Sequence, residues 1–215
     1  MFEAVVFDMD GVITDTEKLY RRYQLEEGLL RGVPENVMIK ACEKIAGGNK
    51  YTNKAPFEEI VGRGIDYYEF RDKVIGKLDA FIDENGVELK QGVKEILGYL
   101  KDKGIKIGLA TSTVKSRAIG YLTAHDIYWY FDKLIFGNMV ANGKPAPDIY
   151  LKACEELGTL PEKTIAVEDS INGIKSAGTA GLYPVMVIDL INPNDEIKPY
   201  VKQVYHNITR LKEII

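Results

Sequence analysis

The sequence predicts an α/β protein: a Rossmann-like parallel sheet with helices on both faces, interrupted near its start by an inserted α-helical block. Three observations predict it. The chain opens on a short apolar run, Ala4-Val5-Val6-Phe7, that passes straight into Asp8, Asp10 and Gly11. Residues 16–86 are rich in charge and tyrosine and have helical rather than strand spacing. From Gly92 onward, helical and strand patterns alternate almost to the end of the chain. The expected division is a core built from residues 1–14 and 88–215, with residues 15–87 as the helical block.

Each element has a local reason. Ala4 to Phe7 is too short for a helix, and its apolar run suits a strand covered on both faces. Thr16 is placed to cap a helix reaching about Leu30, and Pro34 suits the first turn of a second helix towards Ile45. Gly47-Gly48-Asn49 stops that helix. Further helices are expected over Pro56–Val61 and Tyr67–Ile82. In the second half the expected helices are 93–103, 114–125, 148–157 and 171–180. The expected strands are 105–111, 133–136, 164–167 and 183–188, with a last short one at 204–206. The tail from Thr209 reads as a short closing helix. The cluster Tyr128-Trp129-Tyr130-Phe131 reads as packing beneath the sheet edge.

Composition excludes several classes. The chain of 215 residues has a net charge of −4, so nucleic acid and anionic membranes are not expected partners. No apolar run approaches the roughly 18 residues of a membrane span. The first residues enter a strand directly, so a signal peptide is not expected. Cys42 and Cys154 lie far apart with no metal-ligand spacing, and both are expected to be free thiols in a reducing cytoplasm. With only His125 and His206, a histidine metal site or a Ser-His-Asp triad has little support.

In open α/β sheets, function gathers beyond the carboxyl ends of the strands. The polar residues predicted there form a set. The first strand ends in Asp8 and Asp10, which alternate so as to share one side of the chain. The strand at 105–111 ends in Thr111-Ser112-Thr113, and that at 164–167 in Glu168-Asp169-Ser170. Asn142-Gly143-Lys144-Pro145-Ala146-Pro147 follows the strand at 133–136. Singly, these segments read as helix caps, a turn and a solvated lysine. Together they bring carboxylates, hydroxyls and one lysine to one end of one sheet. Like charges that close call for a cation between them or a shared proton.

These segments resemble the motifs of the haloacid dehalogenase superfamily, in family order. Asp8-Met9-Asp10-Gly11-Val12 is similar to its first motif, Thr111 to its second, and Lys144 in Gly-Lys-Pro-Ala-Pro to its third. Glu168-Asp169 is similar to its fourth. The helical block between the first and second motifs resembles the family's mobile cap. The resemblance implies phosphoryl transfer through an aspartyl-phosphate, with Asp8, Asp10, Thr111 and Lys144 as the catalytic set. Asp8 is then the nucleophile and Asp10 the general acid and base. Thr111 and Lys144 serve the phosphoryl oxygens. The implied cofactor is Mg²⁺, held by Asp8, Asp169 and the main-chain carbonyl of Asp10, with Glu168 binding directly or through water.

The first motif, running on through Thr14-Asp15-Thr16, closely resembles that of the β-phosphoglucomutase branch. That branch has a histidine where this chain has Tyr20, and a cap arginine after a glycine where this chain reads Gly47-Gly48-Asn49-Lys50. The preferred reading is therefore a phosphatase acting on a small phosphorylated metabolite. A phosphosugar mutase is the alternative, and a non-catalytic phospho-ligand binding module the alternative from another class. Asp10 argues against a dehalogenase, and a phosphonate-cleaving relative would need a Schiff-base lysine in the cap. Substrate contacts are expected from Ser112, Tyr20, Arg21 and the loop Gly47, Gly48, Asn49 and Lys50, with Glu17 a further candidate. The expected state is a cytoplasmic monomer.

Overall fold

The computed structural model describes all residues, 1–215. Six strands form one parallel sheet: β1 (Ala4–Phe7), β2 (Lys106–Thr111), β3 (Lys133–Phe136), β4 (Thr164–Glu168), β5 (Tyr183–Val187) and β6 (Gln203–Tyr205). Their spatial order is β3-β2-β1-β4-β5-β6. β1 therefore lies between β2 and β4, with Phe7 level with both Leu109 and Val167. Chain order reverses direction at β1, the kind of switch point where a crevice opens beyond the strand ends.

The period of two along each strand sorts the core into two layers. Val5 and Phe7 pack with Ile107, Leu109, Ile165 and Val167 on one face. Ala4 and Val6 pack with Ala110, Ala166 and Tyr150 on the other. Helices α5 (Val93–Asp102) and α6 (Lys115–Ala124) contribute Ile96, Leu97, Leu100 and Leu122 to the first layer. Helices α7 (Asp148–Leu157) and α8 (Ile171–Thr179) contribute Ile149, Ala153, Leu157 and Ala177 to the second.

Between β1 and α5 lie α1 (Glu17–Leu30), α2 (Glu35–Ile45), α3 (Lys54–Val61) and α4 (Tyr67–Asn85). They enclose an apolar cluster of their own, including Met38, Ala41, Phe57, Tyr67, Phe70 and Val74. The chain enters and leaves this block as a pair of crossing strands. Asp15 N donates to Glu88 O and Lys90 N to Ile13 O, each near 2.9 Å. Lys90 Nζ also reaches Asp15 (3.1 Å) and Asp189 beyond β5 (2.7 Å), tying both crossings to the sheet.

Several details differ from expectation. Thr16 precedes α1 but does not cap it, because its hydroxyl is turned to Asp10. Trp129 is 83 % exposed, while its neighbours Tyr128, Tyr130 and Phe131 pack against the core. A 3-10 turn brings the indole outward. The closing segment is likewise a 3-10 helix, Ile208–Glu213. Both cysteines are free and buried. No helix is long and apolar enough to cross a membrane.

Candidate active site

Strand parity builds the centre of the site. Asp8 follows β1 on the parity of Ala4 and Val6, and Glu168 ends β4 on the parity of Ala166, so both point to the layer that holds Tyr150. Lys144 enters the same layer from the loop before α7 and is 1 % exposed. Its Nζ donates to Asp8 Oδ1 (2.8 Å), Glu168 Oε1 (2.6 Å) and Ala110 O (3.0 Å), which uses all three ammonium protons. Tyr150 OH donates to the same Glu168 oxygen at 2.7 Å, and Ser170 Oγ donates to the other at 3.1 Å. Ser170 also caps α8 by accepting from Gly173 N. Glu168 is thereby engaged through both oxygens, whereas Asp8 keeps one oxygen free of protein partners.

The loop after β1 turns because Met9 O accepts from Ile13 N and Thr14 N (2.8 and 2.9 Å) while Gly11 adopts φ +78°. A Cβ at Gly11 would collide with the Asp169 carboxylate and press on Glu17. The glycine is what lets both acids approach the loop. Asp10 accepts from Thr16 Oγ1 and Thr113 Oγ1, each at 2.5 Å, so hydroxyls from two segments aim its carboxyl.

Burial among like charges perturbs these acids. Desolvation raises Asp8 to about 7 against the pull of Lys144, with Glu168 and Asp10 adding to the rise. Desolvation also lifts Asp169 well above the carboxylate range, helped by Glu17, Glu168 and Asp8. Glu17 is pushed up to about 8 by burial and then by Asp10 and Asp8. Lys144 is raised, the two carboxylates outweighing its own desolvation. Carboxylate oxygens of Asp8, Glu168 and Asp169 all lie within 4.8 Å of one another. Such a set of hard oxygens, short of positive charge, fits a divalent cation of the Mg²⁺ type.

A cavity of about 630 Å³ separates the strand ends from the helical block. Asp8, Asp10 and Asp169 line it from the sheet, and Tyr20, Gly47, Gly48, Asn49 and Lys50 from the block. Ser112 lines it too, with its hydroxyl donating to Gly47 O at 3.1 Å. Three predicted site residues lie in its walls rather than on its surface: Thr111, Lys144 and Glu168 are buried behind it. Thr111 Oγ1 accepts from Thr113 N at 3.0 Å. Arg21 is not among the lining residues.

The cavity also gathers residues that sequence reasoning missed. Arg71 of α4 reaches it, with only the adjacent, largely exposed Asp72 as an acidic partner. Arg117 of α6 reaches it while pairing with Asp79 of α4 (2.6 Å) across the two halves. Tyr67, Asn53 and Gln24 complete that end. Position on a helix face signals none of these, since it does not say which way α4 is set against the sheet. Tyr150 was also missed. It stands six residues beyond Lys144 on an amphipathic helix, where a tyrosine reads as ordinary core.

A cavity lined by buried acids at the carboxyl ends of a parallel sheet of this order points to a class of hydrolases. The family model for haloacid dehalogenase-like hydrolases matches residues 2–181, and the chain belongs to that family. Among its relatives, a phosphorylated carbohydrates phosphatase of Thermotoga maritima is 37% identical over 197 residues, covering 84% of this chain and 82% of that one. A β-phosphoglucomutase of Bacillus subtilis is 30% identical over 199 residues, covering 86% and 83%. The crystal structure of CbbY from Rhodobacter sphaeroides in complex with phosphate superposes with a TM-score of 0.75 at 26% identity, covering 98% and 96%.

Proposed function

We propose that this enzyme is a phosphatase of phosphorylated carbohydrates that works through a phosphoryl group carried on Asp8. One observation carries the reading: Asp8 is fixed by Lys144 through one oxygen, while its carboxyl group also lines the cavity beside Asp169. A carboxylate is a weak nucleophile, and a positioned cation is what aligns it and screens it from an incoming phosphate. Bound Mg²⁺, held by Asp8, Asp169 and the main-chain carbonyl of Asp10, would supply that screening and polarise the phosphoryl oxygens. Glu168 serves as the anchor of Lys144, since its oxygens are already engaged.

In the first half-reaction Asp8 attacks phosphorus and the bond to the sugar oxygen breaks, with Asp10 giving that oxygen its proton. In the second, Asp10 takes a proton from the water that attacks the same phosphorus. Phosphate leaves and the Asp8 carboxylate is restored. Thr16 and Thr113 hold Asp10 at one position for both transfers. Residues 15–87 act as a cap that closes over the ester and excludes bulk water, with hinges at residues 14–16 and 84–91.

The names of the Thermotoga maritima and Bacillus subtilis relatives both point to carbohydrate phosphates. A phosphosugar mutase is the second reading, and Arg71 favours it. This arginine on α4 could grip a second phosphate where the loop at 47–50 offers only Lys50. Phosphate release from a panel of sugar phosphates, sugar-alcohol phosphates and phosphoglycolate decides between them. It is run beside conversion of β-glucose 1-phosphate to glucose 6-phosphate. The phosphatase reading expects free phosphate from a carbohydrate ester in the presence of Mg²⁺. Isomerisation without net release would replace it with the mutase.

A further inference from the structure

The loop that follows α2 is held by the sheet from three sides. Asn172, on the first turn of α8, donates through Nδ2 to Ala46 O (2.8 Å) and Lys44 O (3.1 Å). Ser112, just past β2, donates to Gly47 O (3.1 Å). Gly47 adopts φ +74° and lies against Ser170, where any Cβ would meet the hydroxyl. Two residues on, Asn49 packs against Gly143, the neighbour of Lys144, and leaves no room there for a side chain.

The pattern is not one of general packing. The last carbonyls of a helix have no partner within it and must find one elsewhere. Here a core side chain takes Lys44 O, and further carbonyls of the loop are taken by Asn172 and Ser112. These donors come from the segments that also carry the acidic pair 168–169 and Thr111. The same loop presents Gly48, Asn49 and Lys50 to the cavity. When the helical block swings away, these carbonyls pass to water. Such an exchange is close to balanced, and one lost partner moves it by about tenfold.

We propose that Asn172 and Ser112 form a clamp that seats residues 44–50 on the phosphoryl site, with Asn172 a positioning residue for the closed form. Closure is thereby sensed at the loops that hold the catalytic acids rather than at the hinge alone. The inference rests on the cap movement proposed above, and on the phosphatase reading for its kinetic arm.

The test uses the full chain with Asn172→Leu, which keeps the volume and removes both donated bonds, and Ser112→Ala as an independent loosening from the other side. Amide hydrogen exchange is followed over residues 44–50, β4 and α8, with Mg²⁺ affinity measured by calorimetry. Each variant is expected to speed exchange in residues 44–50 by about tenfold, with β4 and Mg²⁺ affinity as in the parent. Where a sugar phosphate is turned over, kcat/KM falls by a similar factor. Parent-like protection of 44–50 in both variants overturns the clamp. Exchange that rises equally in β4 and α8 also overturns it, since Asn172 would then only support the fold. Absence of phosphatase activity would sink the functional reading and leave the exchange result standing.

Discussion

At the scale of single residues, the site turns on Lys144. A fully buried ammonium is tolerated because two carboxylates and a carbonyl surround it, and the carboxylates are tolerated for the same reason. Removing one partner of such a group leaves the others buried and uncompensated, which costs roughly 3–5 kcal/mol. Lys144→Met is therefore expected to destabilise the protein by the lower part of that range. The raised Asp8 takes up a proton readily and relieves part of the deficit. Urea unfolding measures it. The same variant is expected to lower turnover by roughly 10²–10³-fold, as removal of a preorganised charge does. The lysine and its acids were legible as a set from their common place at strand ends. Tyr150 and the paired threonines at 16 and 113 were not, because nothing in their local spacing separates them from core packing and helix capping.

At the scale of elements, short loops do the positioning and the strands fix where they start. β1 is legible because four apolar residues have only one short buried form available, and its register with β2 and β4 sets Asp8 between them. The turn after it depends on Gly11, whose φ of +78° and proximity to Asp169 rule out a side chain. Gly11→Ala is expected to abolish Mg²⁺-dependent phosphate release while leaving far-UV circular dichroism unchanged, because the collision falls on the acid and not on the sheet. Retained activity would show that the loop can be rebuilt around a methyl group. The helices of the inserted block were each legible to within a few residues. Their facing was not. Asp79 meets Arg117, and Arg71 reaches the cavity, only because α4 lies along its rim, a matter of docking that one sequence does not encode in any local pattern.

At the scale of the whole molecule, the sheet and the helical block enclose one cavity, and the acids that line it shape how stability responds to pH. Asp8, Asp169 and Glu17 all have raised values in the folded state. The folded protein then holds protons that the unfolded chain has released, so the contribution of these three acids to stability is greatest below the unfolded carboxylate values. It falls as pH rises through about 7 to 8. Without metal, the melting temperature is expected to drop between about pH 4.5 and pH 8. Added Mg²⁺ should raise it more at pH 8 than at pH 5, since binding needs the ionised acids. Thermal scans with Mg²⁺ and with EDTA measure both slopes. The central claim is that Asp8 carries the phosphoryl group, and its most direct test is mass spectrometry of enzyme quenched in acid during turnover of a phosphate ester. The prediction is one added phosphoryl group on the peptide containing Asp8, absent in Asp8→Asn together with all turnover. A phosphoryl group on another residue, or turnover that persists in Asp8→Asn, would contradict it.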